Sequence, residues 1–229
     1  MKISANLKAN TVSAINQLSD KIRFIGDDDA DAVKVLFVGN SITRHGPKAD
    51  IGWTNDWGMA ASSEENDYVH VTINELKKKY GKVYACTAQI SLWEIKYWDG
   101  DKILEDEYDA ARQFSTDIVI IRMGENIRYD KNKEINCKPY FDRMIKFFIS
   151  NNPNAKVVVT NCFWENEEYH RIFSEVALEN NYIFCSLQGL ENIEGSMALG
   201  LFEHRGVAHH PSDYGMKLIS EKIIESLKL

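Results

Sequence analysis

The chain has 229 residues, 44% of them hydrophobic, which lies within the size of one α/β domain and allows a sizeable core. Its 34 acidic residues against 27 Lys and Arg leave a net charge of −7. That charge offers no basic footprint for a phosphate backbone or an anionic membrane, so neither nucleic acid nor membrane is an expected partner, and a neutral or cationic small molecule fits better.

At the amino terminus, residues 1–26 lack the long apolar core of a secretory signal, and no apolar run reaches bilayer-spanning length. The expected location is the cytoplasm. Val12, Ile15, Leu18, Ile22 and Ile25 recur at helical spacing, which predicts a helix over residues 11–25 that packs on the body or on a second subunit of a homo-oligomer. The acidic run 27–31 then divides a leader, residues 1–32, from the main domain, residues 33–229. Cys86, Cys137, Cys162 and Cys185 have no paired ligand spacing, and neither a zinc site nor a disulfide framework is expected. No metal or cofactor is implied.

Within the main domain, β-branched runs at 33–38, 82–86, 117–122, 156–160 and 182–186 predict strands, and amphipathic stretches at 68–80, 135–150, 167–180 and 212–227 predict helices. Continuous apolar strands imply burial on both faces, so this alternation predicts a parallel sheet flanked by helices. Such sheets bind ligands outside the carboxyl ends of their strands.

Three strand-end loops carry unusual residues. The first reads Gly39-Asn40-Ser41-Ile42-Thr43. A serine hydroxyl is a weak nucleophile until a base takes its proton, so Ser41 as nucleophile demands a histidine from elsewhere; the other reading is a helix cap. After the third strand stands Gly124-Glu125-Asn126, either an ordinary turn or the place where an asparagine donates its side-chain N–H to an oxyanion. The third reads His209-His210-Pro211-Ser212-Asp213-Tyr214-Gly215, where Pro211 suits the first turn of the last helix and would hold His210 at its mouth.

In order and spacing these segments resemble the first, third and fifth blocks of the SGNH/GDSL hydrolases over residues 33–228. Gly58-Met59-Ala60-Ala61-Ser62 and Asp67-Tyr68-Val69-His70 are further similar to a bacterial subgroup of that family. The resemblance implies a three-layer α/β/α sandwich of flavodoxin-like type with a five-stranded parallel sheet. It implies Ser41 as nucleophile, His210 as general base and Asn126 in the oxyanion hole. Two departures stand out. No glycine occupies the second block, Thr87-Ala88-Gln89-Ile90-Ser91-Leu92-Trp93-Glu94, so the second oxyanion donor is a backbone N–H between Ala88 and Ser91, with Gly124 as another candidate. The aspartate usual three residues before the histidine is Val207. Its task falls to a main-chain carbonyl or to Glu203, Glu125 or Asp213. The carbonyl is preferred, because no acid holds the family's register and Asp213 is placed to cap the last helix.

Other residues have two readings each. Arg44 and His45 follow the nucleophile and face either the cleft or solvent. Trp53, Trp57, Trp93 and Trp98 either pack beneath their loops or line a cleft for a sugar ring or acyl group, with Glu94 and Lys96 as rim groups. His204, His209, His210 and Asp213 could be read as a metal cluster, but adjacent histidines diverge, and a substrate contact suits His209 better. The expectation is a serine esterase or deacylase acting through an acyl-enzyme on a small-molecule or carbohydrate ester, with acetyl groups on a carbohydrate the first candidate. Its rivals are an inactive ligand-binding protein on the same fold and a nucleotide-binding protein using residues 39–43 as a phosphate turn, the latter without a glycine-rich fingerprint or loop lysine.

Overall fold

The computed structural model describes residues 21–228. Six strands form one sheet: β1 (Ile22–Ile25), β2 (Val33–Gly39), β3 (Val83–Gln89), β4 (Ile118–Arg122), β5 (Lys156–Thr160) and β6 (Ile183–Cys185), in the order β1-β3-β2-β4-β5-β6. The five expected parallel strands are joined by a sixth, because β1 pairs antiparallel with β3, Ile22 opposite Ala88. The sheet is therefore mixed. Ile22 and Ile25, three apart, fit a helix as well as an edge strand, which is why periodicity placed them in a helix. The remainder of that expected helix, residues 11–20, lies outside the described residues.

Alternate residues of each strand feed opposite layers. In β2, Val35 and Phe37 face one cluster with Tyr68, Met216 and Ile219, while Leu36 and Val38 face another with Phe141, Tyr169 and Phe173. Both faces are covered, which explains the uninterrupted apolar runs. On the first face lie α1 (Tyr68–Tyr80) and the terminal helix; on the second lie α3 (Gly100–Glu107), α6 (Lys138–Phe148) and α7 (Glu167–Glu179). Shorter helices intervene: α2 (Ser91–Ile95), α4 (Asp109–Gln113), α5 (Tyr129–Glu134) and α8 (Arg205–Ala208), before the terminal α9 (Asp213–Leu227). Asp67 caps α1 by accepting from His70 N at 2.8 Å, and Asn166 caps α7 by accepting from Tyr169 N at 3.1 Å.

The chain order reverses direction across the sheet at β2, which neighbours both β3 and β4. Ser41 follows β2 and Asn126 follows β4, on either side of that switch point, where loops diverge and leave a crevice.

Candidate active site

Gly39 ends β2 where a Cβ would stand 1.9 Å from Thr43 Oγ1 and 2.5 Å from the Arg122 carbonyl oxygen. Glycine alone permits this approach, and it brings Ser41 over the edge of the sheet. Ser41 Oγ lies 2.8 Å from Nε2 of His210, 169 residues away in sequence.

Nδ1 of His210 lies 2.7 Å from the carbonyl oxygen of Gly206. A carbonyl only accepts, so Nδ1 carries the proton and Nε2 presents its lone pair to the serine hydroxyl. The local backbone explains the free carbonyl. His210 N donates to Val207 O at 2.9 Å, a three-residue closure that leaves Gly206 without its four-residue partner and open to the ring. Val207 itself is fully buried against Trp53, Met59, Ala60 and Ala198, so the position of the family's aspartate faces the interior here. Burial holds His210 well below the ordinary imidazole range, to about 4; the Gly206 carbonyl acts against this, and the Arg122 guanidinium reinforces it. Trp164 stands edge-on to the ring, centroids 5.5 Å apart.

Beneath Ser41 runs a buried polar network. Arg122, fully buried, donates to Glu125 at 2.9 and 2.8 Å and to Asn40 Oδ1 at 2.6 Å. Asn40 Nδ2 donates to Glu125 at 2.5 Å and to Glu94 Oε1 at 3.1 Å. Glu94 Oε1 also accepts from Gly124 N at 2.6 Å, and its Oε2 accepts from Asn126 Nδ2 at 2.6 Å. Burial, and then the nearby Glu125, push Glu94 up to about 7. Burial is the largest influence on Glu125 and acts to raise it, but the Arg122 charge together with hydrogen bonds from Phe163 N and Asn40 Nδ2 brings the net shift downward. One cation between two carboxylates thus favours charge on the one it touches twice.

The remaining candidates fall into place around this centre. Ala88 is fully buried inside β3, paired with both Val38 and Ile22, and so cannot face an oxyanion. Ser91 opens α2 at the carboxyl end of β3, its N–H 3.3 Å from Gln89 Oε1. The Gly124 N–H is occupied by Glu94, and a Cβ at Gly124, where φ is +125°, would stand 2.6 Å from Cys162 Sγ. Glu125 is committed to Arg122 and Asn40, while Glu203 is exposed and makes no described bond to His210. Asp213 accepts from Ser62 N and Oγ at 2.7 and 2.6 Å. It does not cap α9: Ser212 does, accepting from Gly215 N at 3.2 Å. Pro211 therefore precedes the cap, two residues before the first helical position, Asp213.

Arg44 pairs with Asp56 at 2.8 Å. Trp53 and Trp93 are fully buried and pack beneath their loops, so neither lines a cleft; Trp57 is half-buried, packs edge-on to Trp53 with its N–H on the Ala61 carbonyl, and borders a small cavity beside Arg44 and Asp56. His209 Nε2 lies 3.4 Å from Arg205 Nε. Glu94 is interior, not a rim group. Sequence reasoning also passed over Arg122 and Trp164. Arg122 is the one charge at the end of the otherwise apolar β4, and Trp164 sits in the loop after β5, both signals of the strand-end kind.

No family model matches the chain, and no curated protein matches it. Several solved structures do. A protein assigned as a GDSL-like lipase in Parabacteroides merdae aligns with a TM-score of 0.56 at 18% identity over 86% of this chain and 96% of that one. An extracellular lipase of Streptomyces rimosus aligns at 0.53 and 11% identity over 85% and 100%. A family 3 carbohydrate esterase of Clostridium thermocellum aligns at 0.53 and 14% identity over 85% and 94%. At these identities the likeness is one of fold: the chain has the helix-flanked α/β fold of GDSL-like lipases.

Proposed function

We propose that this chain is a serine esterase of the SGNH/GDSL type. The observation that carries the reading is the 2.8 Å approach of Ser41 Oγ to a His210 ring whose other nitrogen is held by the Gly206 carbonyl. In this reading Ser41 Oγ attacks the ester carbonyl carbon while His210 Nε2 takes its proton, and negative charge moves to the carbonyl oxygen. Asn126 Nδ2 and the Ser41 N–H stabilise that oxygen. Collapse expels the alcohol, which leaves with the proton from His210. Water then attacks the acyl-enzyme, gives a proton to His210, and releases the carboxylic acid as the proton returns to Ser41.

A carbonyl in place of the aspartate still fixes the tautomer but supplies no full charge to the imidazolium, so a slower enzyme than a full triad follows. A short acyl group, acetyl on a carbohydrate, is the substrate proposed first; the fold shared with a carbohydrate esterase supports it. No cofactor enters the scheme. A fluorophosphonate probe together with acetyl, butyryl and longer nitrophenyl esters tests the reading. Wild type should label on Ser41 and prefer short esters, and Ser41→Ala should do neither while keeping its melting temperature. A wild type that fails to label makes the chain a ligand-binding protein on a hydrolase fold.

A further inference from the structure

Glu94 lies on α2, in the loop region after β3, and no exposed atom of its side chain explains its presence, since the residue is fully buried. Its two oxygens meet three donors and no cation directly: Gly124 N at 2.6 Å and Asn40 Nδ2 at 3.1 Å on Oε1, and Asn126 Nδ2 at 2.6 Å on Oε2. A buried carboxylate is costly, and an apolar residue would be cheaper if its only task were to fill space. The chemistry of the donors supplies the task. A carboxamide can turn over, exchanging its oxygen and nitrogen at almost no steric cost, and the two orientations present opposite faces to a substrate. An ionised carboxylate accepts only. Asn126 must therefore turn Nδ2 toward Glu94, leaving its second N–H for another acceptor.

We propose that Glu94 is a positioning residue that locks the Asn126 carboxamide in its donating orientation toward the oxyanion, an assignment that rests on the esterase reading above. Asn40 shows the same logic, with Nδ2 between two carboxylates and Oδ1 on the Arg122 guanidinium. Glu94 touches no substrate in this scheme and acts through Asn126.

Glutamine at position 94 keeps the shape and removes the constraint. Gly124 N cannot turn over, so the glutamine oxygen takes the Oε1 position and its nitrogen faces Asn126. Asn126 then turns its oxygen inward, which places a carbonyl dipole where the oxyanion needs a donor. Assayed at pH 8.5, where Glu94 is ionised, Glu94→Gln should lower kcat about 10²-fold with KM within about threefold, as loss of one oxyanion donor does. In the Asn126→Ala background it should cost less than about threefold more, because its route of action is already gone. A merely structural role would lower both backgrounds equally.

Two results overturn the assignment: Glu94→Gln within about threefold of wild-type kcat while Asn126→Ala is impaired, or an undiminished Glu94→Gln loss beside Asn126→Ala. Ser41→Ala, run in parallel, separates the two readings. If it retains turnover, the esterase reading falls and Glu94 with it; if it is inactive while Glu94→Gln is not, only Glu94 falls. Should Glu94→Gln fail to fold, side-chain amide NMR of the wild type decides. The Asn126 Nδ2 pair, assigned by its loss in Asn126→Ala, should show one downfield, exchange-protected proton. Two freely exchanging protons overturn the proposal.

Discussion

Lowering the pH probes His210 directly. Its ring is half-buried, its Nδ1 faces a neutral carbonyl, and burial brings its pKa from 6.5 to about 4. At pH 5.5 such a ring is about 3% protonated, against about 90% for an ordinary histidine. Because the folded value lies below the unfolded one, the unfolded chain binds more protons between about pH 4 and 6.5. Stability is therefore fully present above pH 6.5 and declines as pH falls through that window. A shift from 6.5 to about 4 corresponds to about 3 kcal/mol, and the ring's remaining contact with water reduces this to about 1 to 3. The assay is carbon-detected NMR of labelled histidine, with the His210 signals assigned by a His210→Gln variant, beside urea melts at pH 7 and 5. The ring should titrate below pH 5, the His210→Gln variant should lose less stability on acidification than wild type, and at pH 7 the Nδ1-protonated tautomer should dominate. A midpoint at or above 6.5 would refute the reasoning, since it would require a carboxylate partner that raises the ring's affinity for a proton.

Asn126→Ala should lower kcat by about 10² to 10³ with a smaller effect on KM, because its hydrogen bond strengthens as charge develops on the carbonyl oxygen; a change confined to KM in steady-state assays would make it a substrate contact. Glu203→Gln and Asp213→Asn should each retain most of kcat, and a collapse of several orders of magnitude in either, with unchanged melting, would place a carboxylate behind His210 after all. Trp53→Ala should cost about 3 to 5 kcal/mol in urea denaturation, as for other buried aromatic truncations, since Trp53 is fully buried with its N–H on the His45 carbonyl. An unchanged midpoint would return that ring to the cleft.

Much of the architecture was legible because burial on both faces writes itself into the chain. The runs at 35–38 in β2, 118–121 in β4 and 157–159 in β5 are apolar without interruption, and the expected helix at 68–80 matches α1. The helix expected over 135–150 became α6, Lys138–Phe148, with α5 ahead of it. Short helices such as α2 and α4, five residues each, are too brief to show a period, and they went unread. Glu94 was misplaced for a related reason. A charged residue defaults to the surface in any pattern argument, and only its three donors, drawn from the loops after β2 and β4, make the interior tolerable.

The sequence by itself determined which side chains stand at the strand ends: Ser41 after β2, Asn126 after β4, and His210 ahead of α9. Those are statements about polarity and local period, which each residue carries with it. Tertiary structure alone decided that residues 169 apart would stand 2.8 Å from each other, that Trp53 and Trp93 would turn inward, and that Ile22–Ile25 would close the sheet as an antiparallel edge. It also chose the group behind His210. Every residue has a carbonyl, so nothing in the sequence marks Gly206 as the acceptor; only the tightened turn at Val207, which leaves that oxygen without a backbone partner, singles it out.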